Sequence, residues 1–352
     1  MGREYRFPNK KHKQRYDLHA GQTEIDWNSY SVNTDLALEA HQIFSPQHGG
    51  SIPGVKTSTE ELDGVTITRL SIEDEVGSKI MGKMVGNYLT FEVPGLRYKD
   101  PDLQKRVAEQ FAEELKKFVA LPEDATVLVI GLGNRKVTPD SLGPLVCDNL
   151  FVTRHLFDHM PELVEQGGYR PVAAVAPGVL GITGIETSEI VHGIVKKIKP
   201  DLVIAVDALA ARSLERVNTT IQVADVGISP GAGVGNKRKG LNKKSLGVPV
   251  VAVGVPTVVD AVTITSDAMD LLVQRLEQDV PGNGMTKLIG GFDEGEKKQL
   301  IFELLQPLGQ NLMVTPKEVD TFVEDIANVL ANGLNVALHD AITMEDASLF
   351  TH

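Results

Sequence analysis

The sequence contains only one cysteine, Cys147, in 352 residues. A single cysteine can form neither an intramolecular disulfide nor a cysteine-based zinc cage, and its scarcity fits a reducing compartment. The chain also lacks a stretch of about 18 unbroken apolar residues, which a membrane-spanning helix needs, and its N-terminal segment lacks the apolar core of a secretory signal. These absences predict a cytosolic protein that has no membrane partner.

The chain also has fewer basic residues than acidic ones. The chain has 35 Lys and Arg against 47 Asp and Glu, which gives a formal net charge of −12. This balance argues against non-specific binding to nucleic acid, so no nucleic-acid partner is expected. Nothing repeats at a fixed period, which disfavours a solenoid or a propeller. The hydrophobic share of 42% is ordinary for a globular protein that buries a substantial core.

The N-terminal third shows two kinds of pattern. Residues 1 to about 60 are polar, with proline and glycine punctuation and no sustained periodicity, which is typical of a flexible leader. Two alternating runs rich in β-branched and aromatic residues, Val65–Ile72 and 88–93, predict half-buried antiparallel strands. A helix is predicted at about 101–119, with Pro101 at its first position.

The middle of the chain has short, continuously apolar runs that alternate with amphipathic helices. This alternation is typical of a parallel sheet that is covered on both faces. We therefore predict an α/β fold, in which a parallel-rich sheet is flanked by helices on both faces and carries an added antiparallel β segment and C-terminal helices. The apolar runs are 126–130, 171–175, 202–206 and 249–253, and the helices lie near 140–158, 184–198, 208–217 and 257–278.

The C-terminal region is predicted to be helical. Two helices are expected, at about 295–307 and 316–334. Thr315 and Glu318 stand three residues apart where the second helix starts, a capping-box pattern in which the two side chains satisfy early backbone N–H groups.

Two aspartates stand near the carboxyl ends of predicted core strands, where ligands bind in open parallel α/β sheets. Asp140 ends a loop at a helix entry and is either a helix N-cap or first-turn acid, or a catalytic carboxylate. Asp207 directly follows the run 202–206, where a carboxylate is costly to bury unless it caps, pairs or takes part in chemistry. If the two converge, they are expected to share one proton, so that one can act as base and the other as acid. The chain has no D-[ST]-G motif of the pepsin type.

Loops at the same strand ends supply candidate substrate-binding residues. Their glycines permit tight turns and the close approach of a ligand chain, and their backbone amides are suited to bind a substrate chain or an oxyanion. An ordinary strand-to-helix turn explains the loop with Gly181, Thr183 and Gly184 equally well, and a helix N-cap explains Thr257. The candidates are Gly131, Gly133, Asn134, Gly181, Thr183, Gly184 and Thr257.

Other patterns carry weaker signals. Residues 227–231 match the G-x-S-x-G nucleophile elbow, but a glycine-rich and basic stretch follows instead of a helix, and it does not match the G-x-G-x-x-G dinucleotide motif. The basic residues within 237–244 are typical of a solvated loop. His155 and His159 are spaced like a metal pair but lack the Glu of H-E-x-x-H. Cys147 lies in an apolar helix, which is typical of inert packing.

Six blocks of sequence together carry a resemblance to a known family. They resemble the germination protease of spore-forming bacteria, an endopeptidase family that degrades small acid-soluble spore proteins. The resemblance runs from about Ser31 to His352. The blocks are GLGNRKVTPDSLGP, PGVLGITGIETSEI, VIAVDALAARSLERVN, GAGVGNKRK, VPTVVDAVTITSD and NLMVTPKEVD.

The resemblance implies a fold, an assembly and a catalytic pair. It implies a peptidase whose α/β core is similar to that of the hydrogenase-maturation endopeptidases, assembled as a homotetramer in the cytoplasm of the forespore and the spore core. The proposed catalytic pair of the family falls on Asp140 and Asp207. The implied organisation is a leader at 1–35, an N-terminal segment at 36–120, a catalytic core at 121–280 and a C-terminal helical region at 281–352.

Members of this family are made as zymogens that cut themselves at a site similar to their substrates, T-E-[LIF]-A-[SV]-E. Residues 34–39 read TDLALE and are similar, with Asp in place of Glu and Leu in place of the small residue. The resemblance therefore implies self-cleavage between Asp35 and Leu36. The leader is longer than expected of the family, and the stretch 279–296 looks shorter.

Two rival functions stay open. One is a metal-dependent, maturation-type endopeptidase in which Asp140 and Asp207 are ligands. A transition-metal site usually recruits imidazole, and no His lies at the carboxyl edge of a predicted core strand, so acid–base catalysis without metal or cofactor is favoured. The other is a non-catalytic chaperone that binds spore proteins, which would need neither the aspartate pair nor the substrate-like leader.

Overall fold

A nine-stranded sheet runs through the computed structural model, which describes residues 34–165, 167–229, 239–279, 301 and 312–349. The strands differ in length, and the two longest lie at the centre of the sheet. They are β1 Val55–Leu62, β2 Val65–Ile72, β3 Gly86–Glu92, β4 Val127–Gly131, β5 Val172–Val175, β6 Leu202–Ala211, β7 Thr220–Ala224, β8 Val250–Asp260 and β9 Met313–Val314.

The sheet is parallel in its core and antiparallel beyond it. The strand order is β1-β2-β3-β7-β8-β6-β4-β5, with β9 paired to β8. β5, β4, β6 and β8 are parallel to their neighbours in this group, whereas β7, β3, β2 and β1 continue the sheet by antiparallel pairing. The predicted mixed α/β fold with a parallel core is thus confirmed, and the antiparallel strands extend the same sheet.

Eleven α-helices accompany the sheet in the part of the chain that the structure describes. None of them is long and apolar enough to cross a membrane. They are α1 Ala37–Phe44, α2 Glu75–Met81, α3 Pro101–Val119, α4 Leu142–Asp148, α5 Arg154–His159, α6 Leu180–Thr183, α7 Thr187–Ile198, α8 Lys243–Leu246, α9 Ala261–Asp279, α10 Val319–Leu338 and α11 Met344–Ala347.

The alternation of side chains along β4 shows how both faces of the sheet are covered. Val127 and Val129 are buried in a large cluster that includes residues of α3, α4 and α10. Leu128 and Ile130 belong to a second cluster, together with Val191 of α7. Because successive side chains of a strand point to opposite faces, the parallel core is packed between two layers of helix.

Two elements have the bounds that the sequence predicts, Val65–Ile72 and the helix Pro101–Val119. The helix begins at Asp100, whose side chain accepts a hydrogen bond from the backbone N–H of Asp102, and Pro101 occupies the first turn. The predictions for these elements are confirmed.

The central strands are longer than their apolar runs. β6 continues to Ala211 and β8 to Asp260, so the helix predicted near 208–217 is wrong, and the helix predicted near 257–278 starts only at Ala261. Local sequence favours helix at the alanine-rich end of β6, but pairing with β8 continues there and overrides that preference. β7, which follows, has no predicted counterpart.

Three further expectations need correction. The region described as a leader contains α1 and β1, and the helix predicted at 140–158 is divided into α4 and α5. The capping box is wrong because the Thr315 hydroxyl donates to the Thr257 carbonyl at 2.8 Å, and Glu318 makes no side-chain capping bond. The predictions for residues 1–33 and, apart from Ile301, for the helix at 295–307 lie outside the described residues.

Candidate active site

A cavity of about 680 Å³ lies where the pairing of β4 with β6 ends. Its lining includes Asp140 and Asp207, the two predicted catalytic residues. Asp35, which precedes the predicted self-cleavage bond, lines the same cavity. The fold thus gathers three carboxylates that are distant in sequence.

Asp207 lies within β6 rather than after it, because the strand continues to Ala211. The pairing of β4 with β6 ends at Gly131 and Val206, directly before Asp207. The side chain is buried, and its Oδ1 accepts a hydrogen bond from the N–H of Ala208 at 3.0 Å. The expectation that Asp207 follows the end of its own strand is therefore wrong, because β6 stays paired with β8 as far as Ala211. Asp207 lies instead beside the end of β4.

Asp140 ends a short 3₁₀ turn at 138–140, between β4 and α4. Its Oδ2 accepts a hydrogen bond from the N–H of Asn134 at 2.9 Å. The N-cap of α4 is Ser141, so the N-cap interpretation of Asp140 is wrong. The carboxylate is instead held by the loop that follows β4.

The glycines of this loop are required by close packing. Gly133 has φ +109°, and a Cβ added there would lie 2.1 Å from the carbonyl oxygen of Asp140. A Cβ on Gly131 would lie 2.2 Å from the carbonyl oxygen of Gly143 in α4. Gly133 lines the cavity. Both glycines therefore let the turn that carries Asp140 fold against β4, which is a supporting role distinct from direct substrate binding.

The second candidate loop lies beside the cavity. Gly181 and Thr183 belong to α6, and Gly184 is its C-cap with φ 71°. All three are exposed. The neighbouring Val179 and Thr187 contribute to the lining of the cavity. The loop thus borders the site through the residues on either side of the three predicted ones.

Thr257 is buried inside β8 and also lines the cavity. Its hydroxyl donates to the Pro139 carbonyl at 2.7 Å. The N-cap interpretation is wrong because α9 begins only at Ala261. Thr257 ties β8 to the turn that ends at Asp140, and it supports the position of that carboxylate.

The substrate-like segment 34–39 is bound beside β6. The N–H of Asp35 donates to the Ala210 carbonyl at 3.0 Å, and the N–H of Ala210 donates to Asp35 Oδ2 at 2.9 Å. Leu36 is fully buried in a cluster with Leu209. The main chain and the side chains of the segment are therefore both engaged next to the two candidate catalytic residues.

Gln222 holds this segment from the side of β7. Its Nε2 donates to the Asp35 carbonyl at 3.2 Å, and its Oε1 accepts from the N–H of Ala37 at 2.6 Å. Gln222 is opposite Gly254, and Gly254 is opposite Asp207 in the sheet register. Sequence reasoning missed Gln222 because β7 was not predicted and a strand glutamine carries no motif.

Two further groups of contacts hold the segment. The Nζ of Lys83 donates to the Thr34 carbonyl at 2.7 Å. The buried carboxylate of Glu39 accepts from the backbone N–H of Arg212 at 2.8 Å and of Ser213 at 2.9 Å. It also accepts from the Thr34 hydroxyl and lies 3.3 Å from the Arg216 guanidinium. Apart from Thr34, these partners are distant from the segment in sequence, so no local sequence pattern could have indicated them.

Burial moves the pKa values of Asp35 and Lys83 in opposite directions. It raises the pKa of Asp35, against the hydrogen bond from Ala210 and the charge of Lys83. It lowers the pKa of Lys83, against the charges of Asp35 and Glu39. Each ionised group thus stabilises the charged form of the other.

The weaker sequence signals lie outside this arrangement or beyond the described residues. Burial raises the pKa of Cys147 to about 12, which fits the predicted inert packing. His155 and His159 lie on α5, and the described residues contain no group of three or more His, Cys, Asp or Glu that could hold a metal ion. Ser229 lines the cavity, whereas the glycine-rich residues after it, together with Lys237 and Arg238 of the basic stretch, lie outside the described residues.

Comparison with known proteins gives one consistent result. A family model described as germination protease matches residues 34–287 and 277–351. Germination proteases of Bacillus cereus (strain AH187) and Bacillus mycoides (strain KBAB4) are each 50% identical to this chain, over 93% of this chain and 99% of the relative. A germination protease of Bacillus anthracis (strain A0248) matches with the same identity and coverage. The two matched segments meet at 277–287, beside the stretch 279–296 that looks short in the sequence.

Proposed function

Because the chain belongs to the germination protease family and is therefore a peptidase, we propose that it is the endopeptidase that starts the degradation of small acid-soluble spore proteins during germination. In this proposal it is made as a zymogen in the forespore cytoplasm and cuts itself between Asp35 and Leu36. One observation carries the proposal: Asp35 lines the same cavity as Asp140 and Asp207.

The way in which the segment is bound supports self-cleavage. Asp35 is paired by its backbone N–H with β6, and Gln222 bonds main-chain groups on both sides of the bond between Asp35 and Leu36. Main-chain recognition of an extended peptide leaves the choice of sequence to the side-chain contacts. A segment 34–39 bound in this way occupies the position of a substrate peptide, which accounts for an inactive precursor.

The proposed mechanism uses the two aspartates as a pair that shares one proton. The ionised carboxylate takes a proton from a water molecule, and the water oxygen forms a bond to the carbonyl carbon of Asp35. The protonated carboxyl gives its proton to the amide nitrogen of Leu36 as the C–N bond breaks. The hydrogen bond from Gln222 to the carbonyl oxygen strengthens as negative charge develops there.

The first test is self-cleavage of the purified full chain, followed by mass spectrometry over a range of pH. We expect the wild type to give a new N-terminus at Leu36, and Asp140→Asn and Asp207→Asn to remain uncut while keeping wild-type circular dichroism. Asp158→Asn, on the exposed side of α5, is the matched control and should be cut normally. Wild-type turnover in either active-site variant would rule out the two-aspartate mechanism.

The second test distinguishes the rival functions. The self-cleaved protein is incubated with a purified small acid-soluble spore protein, with and without a strong chelator. A single cut that survives the chelator supports the proposal. Loss of cutting in the chelator would make Asp140 and Asp207 metal ligands, and binding without any cutting would favour a chaperone.

Light scattering during size-exclusion chromatography tests the proposed homotetramer.

A further inference from the structure

Lys83 carries the only positively charged side chain among the described residues that line the cavity. The other charged lining residues are Asp35, Asp140 and Asp207. Lys83 follows Gly82, the left-handed C-cap of α2, with φ 62°. Its own carbonyl accepts a hydrogen bond from the Ser78 hydroxyl at 2.6 Å. The end of α2 therefore fixes the backbone from which this amine enters an otherwise acidic site.

The amine of Lys83 contacts the bound segment 34–39. Its Nζ donates to the Thr34 carbonyl, one residue before Asp35. The charges that favour its protonated form are those of Asp35 and Glu39, both within the segment 34–39. A cation that acted on the catalytic pair would be expected to have Asp140 and Asp207 as its main electrostatic partners. The main partners of Lys83 lie in the segment 34–39 instead, which favours a role in peptide recognition.

The Asp35 carboxylate has two sources of stabilisation at this place. One is the hydrogen bond from the N–H of Ala210 to Oδ2, and the other is the charge of Lys83. An uncharged side chain of the same shape would lose the charge-assisted bond and would leave the Lys83 ammonium half-buried beside a neutral partner. Removing one member of a desolvated charge pair is costly, because the other charge stays behind.

We propose that Lys83, together with the backbone N–H of Ala210, selects peptides whose side chain immediately before the cleaved bond is acidic. This inference rests on the proposed function and names the residue that determines its specificity at that position. Lys83 would place the peptide by two contacts at once, a hydrogen bond to the preceding carbonyl and an electrostatic attraction to the acidic side chain.

The test is a double-mutant cycle on self-cleavage of the full chain. Asp35→Asn keeps the shape of the side chain and removes its charge, and Lys83→Met keeps the aliphatic stem and removes the amine. We expect each single change to slow the cut at Leu36 by about tenfold, because each removes the attraction between Lys83 and the Asp35 side chain. The double variant should be little slower than Lys83→Met, because Lys83→Met has already removed the attraction that Asp35→Asn removes.

Two controls separate recognition from a structural effect. Lys79→Met alters an exposed lysine of the same helix α2 and should be cut at the wild-type rate. Lys83→Arg keeps the charge and should retain most of the rate when Asp35 is present, and its advantage over Lys83→Met should become smaller when each is combined with Asp35→Asn. Additive losses in the double variant, or wild-type rates in Asp35→Asn, would overturn the inference alone. A wild-type chain that is never cut at this bond would remove the proposed function as well.

Discussion

Gln222 bonds Asp35 through the carbonyl group of the peptide bond that the chain is proposed to cut. The Nε2 of Gln222 lies 3.2 Å from that carbonyl oxygen, while its Oε1 lies 2.6 Å from the nitrogen of Ala37. One side-chain amide therefore fixes the peptide on both sides of the bond through hydrogen bonds to main-chain groups. Gln222 is itself buried in β7, so its position is set by the sheet.

We expect Gln222→Met to slow self-cleavage by about 10²-fold, the usual effect of removing one donor to a developing oxyanion. The change keeps the approximate volume and removes both hydrogen bonds to the segment. Rates are measured by mass spectrometry of the new N-terminus, and thermal unfolding checks that the fold is kept. Gln104→Met on α3 is the control. An unaffected rate in a folded Gln222→Met protein would exclude Gln222 from the reaction.

The sequence alone predicted the parallel core and both candidate catalytic residues, for a physical reason. Continuous apolar runs mark buried parallel strands, and a carboxylate that directly follows such a run, as Asp207 does, is conspicuous, whereas Asp140 was singled out by its place at a helix entry after the first run. Asp140 and Asp207 both line the cavity. Their supports could not be predicted, since Thr257 reaches Pro139 across 118 positions in the chain. Such a contact depends on the folded sheet and leaves no local pattern.

The same reason explains the error at the end of β6 and why Lys83 was not among the predicted site residues. The alanines after Asp207 favour helix locally, and only pairing with β8 makes them a strand. Lys83 reads as an ordinary solvated lysine, yet its Nζ meets Thr34, 49 positions earlier in the chain. The periodicity of the sequence indicates which side chains are buried. It does not indicate which main-chain groups, distant in sequence, those side chains contact.

Gly133 and Gly181 should respond very differently to the same substitution. Gly133→Ala places a Cβ 2.1 Å from the Asp140 carbonyl oxygen at φ +109°, whereas a Cβ on Gly181 meets nothing within 4 Å. A displaced catalytic carboxylate lowers the rate by about 10²-fold per ångström. We therefore expect Gly133→Ala to lose most of the self-cleavage rate, measured by mass spectrometry.

Gly181→Ala is the matched control because it adds the same methyl group to an exposed turn. It should change neither the rate nor the melting temperature. A strong loss of activity in Gly181→Ala would instead assign the α6 loop a direct role with the substrate. An unchanged rate in Gly133→Ala would show that the turn at Asp140 adjusts without cost.

Glu39 should contribute to stability through its buried carboxylate, which accepts hydrogen bonds from the backbone of Arg212 and Ser213. Glu39→Gln keeps the shape, but one of its two oxygens becomes an NH₂ group that cannot accept. We expect a loss of about 1–3 kcal/mol in the free energy of unfolding, together with slower self-cleavage. Urea denaturation provides the measurement, with Glu113→Gln on the exposed side of α3 as the control. Equal stability of the two variants would contradict this anchoring role.

His339 should make stability depend on pH in the acidic range. Its ring is fully buried, with Nδ1 accepting from the N–H of Arg170 at 3.2 Å and Nε2 lying 3.1 Å from the Phe151 carbonyl. Burial lowers its pKa from 6.5 to about 4. Between these values the unfolded chain binds a proton that the folded chain does not. The stabilisation is therefore complete above pH 6.5 and is lost as the pH falls through about 4.

The size of this effect is about 3 kcal/mol for a shift of this extent. We expect His339→Gln to lower the free energy of unfolding at pH 7.5 and to flatten its fall between pH 6.5 and 4.5, as measured by urea denaturation. The difference from the wild type isolates His339 from the carboxylates that titrate in the same range. His192→Gln, on the exposed side of α7, should keep the wild-type pH profile. If His339→Gln also keeps that profile, the pKa of His339 does not differ between the folded and the unfolded protein, and the predicted effect of burial is wrong.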